Sequence, residues 1–228
     1  MKRYANLEEI SDGKLYQTRD MVKADCLGCK NCSKCCHGMG DTITLDPYDI
    51  WRFRKGLHKE LRDFLEEGSV ALGVVDGVIL PHMAMVGKEE KCFFLNDEGW
   101  CGIHPWRSGL CRLFPLGRCY EGDRLQYFVQ RGECEQPKVK VKVEKWLDTP
   151  QLQQYEGFLM EWRNILNQTI EQFGRLQDIE LRREWNLRFL SCFLATPYEG
   201  EADFYVQFAQ RRTLWNSWNE RENKTTEG

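Results

Sequence analysis

No apolar run in this 228-residue sequence is long enough to cross a bilayer. The longest stretch, SVALGVVDGVILPHMAMVG, is interrupted by Asp76, by glycines and by Pro81. The first 25 residues carry no apolar segment of the kind a secretory signal needs, so the expected location is the cytoplasm. An excess of one charge is missing too. Lys and Arg number 32 against 35 Asp and Glu, and the resulting net charge of -3 recruits the chain neither to nucleic acid nor to an acidic membrane surface. There is no Gly-rich loop closed by Lys-Ser/Thr and no G-x-S-x-G, which removes the common phosphate-binding and acyl-transfer signatures. Histidine is scarce: His37, His58, His82 and His104 are the complete set. The remainder, 42% hydrophobic and 29% charged, is an ordinary globular chain with one sizeable core, or a core plus an appended module.

Cysteine breaks that pattern, with 11 residues at 26, 29, 32, 35, 36, 92, 101, 111, 119, 134 and 192. An odd count in a reducing compartment argues against a disulfide framework. Cys192, inside LRFLSCFLATP, suits a small core hydrophobe. The segment CLGCKNCSKCCHG does not, because Lys30, Asn31, Ser33, Lys34 and glycine give its thiols no apolar face to join. Two thiolates about 4 Å apart repel by about 4 kcal/mol at an effective dielectric near 20, so several cannot ionise together without a cation among them. A structural metal returns on the order of 10 kcal/mol, enough to order such a loop. C-x2-C spacing lets two sulfurs reach one metal from a single turn. Cys26, Cys29, Cys32 and Cys35 repeat it three times, and counting through Cys36 gives C-x2-C-x2-C-x3-C, the spacing of bacterial ferredoxins, with His37 where a proline would follow. Cys35 and Cys36 are adjacent and point different ways, so they can serve two sites.

Downstream, EKCFFLNDEGWCGIHPWRSGLCRLFPLG carries Cys92, Cys101 and Cys111, with Cys119 and Cys134 beyond. Gaps of eight and nine residues are too long for one turn, so these ligands must converge from a folded scaffold. FFLNDEGW predicts a strand, a turn at Asn96 to Gly99 and a return at Trp100. IHPWRSGLCRLFP predicts a turn at His104-Pro105, a short helix and a stop at Pro115. Arg107 and Arg112 lie beside these thiols in sequence, placed either to offset the charge of a thiolate-bound cofactor or simply in solvent. His37 and His104 each follow a motif cysteine closely. Either one replaces a thiolate ligand, hydrogen-bonds to sulfur or is exposed.

The run Cys29-x2-Cys32-x2-Cys35-Cys36, then ITLDPYDI, then CFFL through GWCGIHPWRSGLCRLFPLG, resembles the YkgJ-type cysteine-cluster family, a zinc- or iron-chelating domain. The resemblance covers about residues 26 to 137. It implies eight ligand cysteines, which fall on Cys29, Cys32, Cys35, Cys36, Cys92, Cys101, Cys111 and Cys134. His104 stands where the family has tyrosine, Ser108 where it has proline, and Cys26 and Cys119 lie outside the set. The flagellin lysine N-methylase is similar in its cysteine cluster, which makes methyl transfer a further alternative, although no S-adenosylmethionine loop is recognisable here.

Elsewhere the sequence describes scaffold. Asp46 as N-cap, Pro47 and Asp49 open a helix through Leu57, and a second, HKELRDFLEEG, stops at Gly68. VALGVVDGVIL is a hairpin turning on Asp76-Gly77. LQYFVQ and KVKVKVEKW are strands, the second an edge strand with Val139, Val141 and Val143 turned inward. After Pro150 three helices follow, their aromatic stripes read as core. The expected fold is therefore α+β: a small cysteine-rich metal-binding domain of short helices and hairpins, then a C-terminal helical region. Its divisions are an N-terminal extension at 1-25, the cysteine-cluster domain at 26-149, helices at 150-222 and a disordered tail at 223-228. The expected function is a cytosolic iron-sulfur protein with one or two clusters of the 4Fe-4S type, a redox or electron-transfer role and a redox partner protein. The alternative is a zinc-binding structural or interaction module, since all-thiolate sites suit both metals.

Overall fold

Asp46, Pro47 and Asp49 mark the clearest helix start in the chain, and the computed structural model, which describes residues 7–25, 33–134 and 139–226, has it there. Before it come a single turn, α1 (Leu7–Ile10), and the strand β1 (Met21–Asp25). Helix α2 (Pro47–Leu57) begins with a reciprocal capping box between Asp46 and Asp49, and ends at His58 in the left-handed conformation. Helix α3 (Leu61–Glu66) follows, and the hairpin of β2 (Val70–Val75) and β3 (Val78–Met83) turns on Asp76 and Gly77, both with positive φ as the tight turn requires.

A two-residue ladder joins β4 (Met85–Val86) to β5 (Lys91–Cys92). Helix α4 (Gly109–Leu113) leads through a cis Phe114-Pro115 bond into the hairpin of β6 (Leu116–Glu121) and β7 (Arg124–Val129). Strand β8 (Val139–Lys142) passes directly into α5 (Val143–Leu147), and α6 (Leu152–Arg175), α7 (Ile179–Leu190) with a π-helical extension through Ala195, and α8 (Phe204–Thr226) complete the chain. All strand pairs are local or two-stranded and antiparallel, and helix predominates, which is the α+β organisation the sequence predicts.

Four details differ from expectation. Segment 21–25 is part of the fold: β1 pairs antiparallel with β8, and Val22 and Ala24 are fully buried. Val143 is buried as expected, but as the first residue of α5, so the edge strand stops at Lys142. FFLNDEGW makes the Asn96 to Gly99 turn, with the Trp100 amide donating to Asn96 Oδ1 at 2.7 Å, yet its strand ends at Cys92 and only the Leu95–Cys101 bridge continues it. Helix α8 also runs to Thr226, beyond residue 222 where the sequence reading ends it.

The principal core draws on both sides of Pro150. Phe53, Phe64 and Val78 belong to the same buried cluster as Trp162, Phe189, Phe193 and Trp215, and Cys192 lies within it at 4% exposure, the packing role expected of it. Asn186 of α7 fastens the helices to the β2–β3 hairpin, accepting from the Ile79 amide at 2.8 Å and donating to the Gly77 carbonyl at 3.1 Å. A smaller core, including Val22, Leu116, Tyr127 and Val143, lies under β1, β7 and α5. The two cores meet at α4 through Leu110, which packs against both.

Candidate metal centre

Backbone pairing gathers the cysteines. The 3-10 turn Lys34–Cys36 is followed by His37, which bridges to Lys91, and the Gly38 amide donates to the Glu90 carbonyl at 2.9 Å. That lays the Cys35-Cys36 pair along β5 and its terminal Cys92. The Leu95–Cys101 bridge, with the Gly102 amide donating to Phe94 O at 2.8 Å, folds Cys101 back beside the same strand. Cys111 arrives on α4, whose N-cap Ser108 accepts from the Cys111 amide at 3.3 Å.

Helix α2 steadies the intervening loop. Arg52 stacks over Trp106 at 5.5 Å and donates to the Pro105 carbonyl at 2.7 Å. Gly56 is needed because a Cβ there would lie 1.9 Å from the Trp106 ring. Gly56→Ala should therefore displace Trp106 and lower stability by about 1–3 kcal/mol, as overpacking of a filled site does. Urea unfolding measures this, and an unchanged midpoint would show that the ring yields freely.

Five thiols, Cys35, Cys36, Cys92, Cys101 and Cys111, act on one another electrostatically. Burial pushes the Cys92 and Cys101 thiols up and takes Cys111 to about 12, with neighbouring thiols adding to the rise. Cys36 donates to Cys35 and is pushed up by that bond and then by burial. Cys35 is brought down to about 7, first by the Cys36 bond, with Arg107 and His37 assisting. Opposing the burial, the Phe94 amide donates to the Cys92 sulfur, the Ile103 amide to that of Cys101 and the Ser108 side chain to that of Cys111. Amides two residues beyond a cysteine, aimed at its sulfur, favour the thiolate that a soft metal needs.

The other residues singled out in the sequence are placed as follows. Cys26, Cys29 and Cys32 lie outside the described residues. Among the described residues no three His, Cys, Asp or Glu side chains close to metal-ligand geometry. Cys134 is half-buried, and its neighbour Glu133 lines a cavity of about 450 Å³ that also has Cys35, His37, Met39 and Phe114 in its wall. Cys119 sits on β6 opposite Gln126, where Glu121 and Arg163 are its charged neighbours. His37 Nδ1 is 3.0 Å from the Ser33 carbonyl, and His104 Nε2 accepts from Arg107 Nη1 at 2.9 Å.

The two arginines have separate surroundings. Arg107 acts on Cys35 and Cys101, whereas Arg112, only 3% exposed, lies over the rings of Tyr48 and Tyr155 and acts on Asp46 and Asp49. None of the three Arg112 guanidinium nitrogens makes a hydrogen bond. Sequence reasoning missed that Asp49, taken as a helix-cap partner, also accepts from the Gly109 amide at 2.7 Å across 60 residues.

The chemistry of this all-sulfur set, with amides turned to the sulfurs, suits zinc or iron; Cys35, Cys36, Cys92, Cys101 and Cys111 are the described residues that would contribute to holding it, although no three of them stand at metal-ligand geometry here. A model of one family, described as "Putative zinc- or iron-chelating domain", matches residues 28–145, just over half of the sequence. The chain belongs to the CxxCxxCC family. No curated protein and no solved structure matches it. The CxxCxxCC stretch covers the whole set of converging thiols and ends inside α5, so the C-terminal helices that share the principal core lie beyond the family's matched span. Metal chelation by zinc or iron is the property this membership carries. Among the described residues no helix is long and apolar enough to cross a membrane.

Proposed function

We propose that this protein is a cytosolic iron-sulfur protein with a redox or electron-transfer role, its thiols supporting one or two clusters of the 4Fe-4S type. What supports the reading is an all-sulfur neighbourhood: Cys35, Cys36, Cys92, Cys101 and Cys111 lie near enough to act on one another's titration, the donor chemistry an iron-sulfur cluster takes. The ferredoxin-like spacing through Cys36 supports the same choice. Cys29, Cys32 and Cys134 complete the proposed set of eight ligands.

In this reading a bound cluster supplies one-electron chemistry, and the protein holds and tunes it. Cys35 and Cys36 come from one turn, while Cys92 comes from β5, Cys101 from the bridge to Leu95 and Cys111 from α4. Arg107 offsets the negative charge at Cys35 and Cys101, and the amides of Phe94 and Ile103 spread the charge on sulfur. Arg112 stands away from the thiols, beside Asp46 and Asp49. Electrons pass to a redox partner protein, with no role for nucleic acid or membrane.

Anaerobic purification with iron, acid-labile sulfide and zinc measured per chain tests the proposal. Stoichiometric iron and sulfide, with a visible band bleached by dithionite, is the expected result. A colourless protein holding zinc alone would overturn it in favour of a structural or interaction module, because zinc carries no electrons.

A further inference from the structure

We infer that Asp49, on α2, is a positioning residue for the metal centre, fixing from behind the short helix that carries Cys111. The inference rests on the proposed place of Cys111 among the ligands. Helix α4 has five residues, too few to stand without tertiary support. Two side chains hold its opening amides: Ser108, which is local, and Asp49, which reaches the Gly109 amide at 2.7 Å from an element 60 residues away. Gly109 is itself pressed against the helical region, since a Cβ there would lie 2.4 Å from the Tyr155 hydroxyl. The direction of α4, and with it that of the Cys111 side chain, is thus set between α2 and α6.

Charge makes the same tie. Arg112 follows Cys111 in the chain, is buried, and has no hydrogen bond at any guanidinium nitrogen. Its neighbours are the Asp49 and Asp46 carboxyls, which burial pushes up and which Arg118 shares, and the faces of Tyr48 and Tyr155. A buried cation left without its counter-charge is strongly unfavourable, and the least disruptive relief is for α4 to swing. Asp49 is itself 1% exposed and takes both roles at once.

The test compares Asp49→Asn with Asp46→Asn in the full-length, metal-loaded protein. Asp46→Asn also removes a carboxylate from the Arg112 environment but touches no amide of α4. Asp49→Asn should weaken metal affinity 10- to 100-fold in chelator competition, the usual effect of removing a supporting group behind a ligand. Iodoacetamide labelling read by mass spectrometry should rise at Cys111 while Cys92 and Cys101 stay protected. Asp46→Asn should leave that pattern unchanged. If Asp49→Asn does not fold, the double variant Asp49→Asn/Arg112→Met removes the unpaired cation and carries the same labelling test. Affinity within twofold of wild type, or equal labelling gains at all three thiols, would overturn the positioning role. A wild-type protein that binds no metal would overturn the proposed function instead. Labelling of the metal-free protein then decides the Asp49 tie: a faster Cys111 in Asp49→Asn upholds it, and an unchanged rate sinks it.

Discussion

Cys92→Ser should strip the protein of most of its metal and lower its unfolding midpoint sharply. Cys92 ends β5, is 9% exposed, and acts on Cys36 and Cys111 while Cys35 and Cys101 act on it. Serine keeps the size but offers a hard oxygen that is not ionised near neutrality, so one leg of the centre is lost. Structural metal sites contribute on the order of 10 kcal/mol to folding, and losing one ligand of four should forfeit several of those. Metal per chain should fall below half of the wild-type value, and urea unfolding should become insensitive to added chelator. Cys192→Ser is the matched control. That residue is as buried as Cys92 but lies among Phe189, Phe193 and Trp215, so a hydroxyl there should cost about 1–3 kcal/mol and leave metal content untouched. A Cys92→Ser protein with a full complement of metal would show that Cys92 is not a ligand.

What was legible in the sequence depended on how local its cause is. The opening of α2 and the Asp76-Gly77 turn are set by residues within four positions of one another, and both form as their sequences require. Strand β1 was not legible because MVKAD has little pattern of its own and is held by β8, more than a hundred residues on. The same distinction runs through the site. The spacing of Cys35 and Cys36 is visible in the chain, and the need for Cys92, Cys101 and Cys111 to converge could be stated from their gaps. Which arginine faces the thiols could not be stated. Arg107 and Arg112 look equivalent in sequence, but the Ser108 cap starts a helix between them and sends Arg112 inward to Asp49. Asp49 itself carries two signals of which only the capping one is local.

Acidification through neutrality should make metal binding fall more steeply than a fixed set of thiolates would allow. In the metal-free protein burial holds the Cys92, Cys101 and Cys111 thiols above their ordinary range, and Cys36 is held up chiefly by its bond to Cys35. Each of these that becomes a ligand must release one proton at any pH below about 9, so apparent affinity rises with pH. Cys35 behaves differently. With its pKa near 7 it is already a thiolate in mildly alkaline solution and has no proton to release there, but below 7 it gains one that the metal must displace. The slope of log affinity against pH should consequently increase by about one as the pH drops from 8 to 6. Competition against a chromophoric zinc chelator across that range measures the slope, and Cys35→Ser should lose the bend while keeping the straight part. The sign for folding is set by the same groups. A thiol whose folded pKa lies above its unfolded value stays protonated in the native state while the unfolded chain ionises. The metal-free protein should therefore lose stability as pH rises past about 9, and the metal-loaded protein, whose ligands have already surrendered their protons, should not. A slope that is constant from pH 6 to 8.5 and identical in Cys35→Ser would remove Cys35 from the centre.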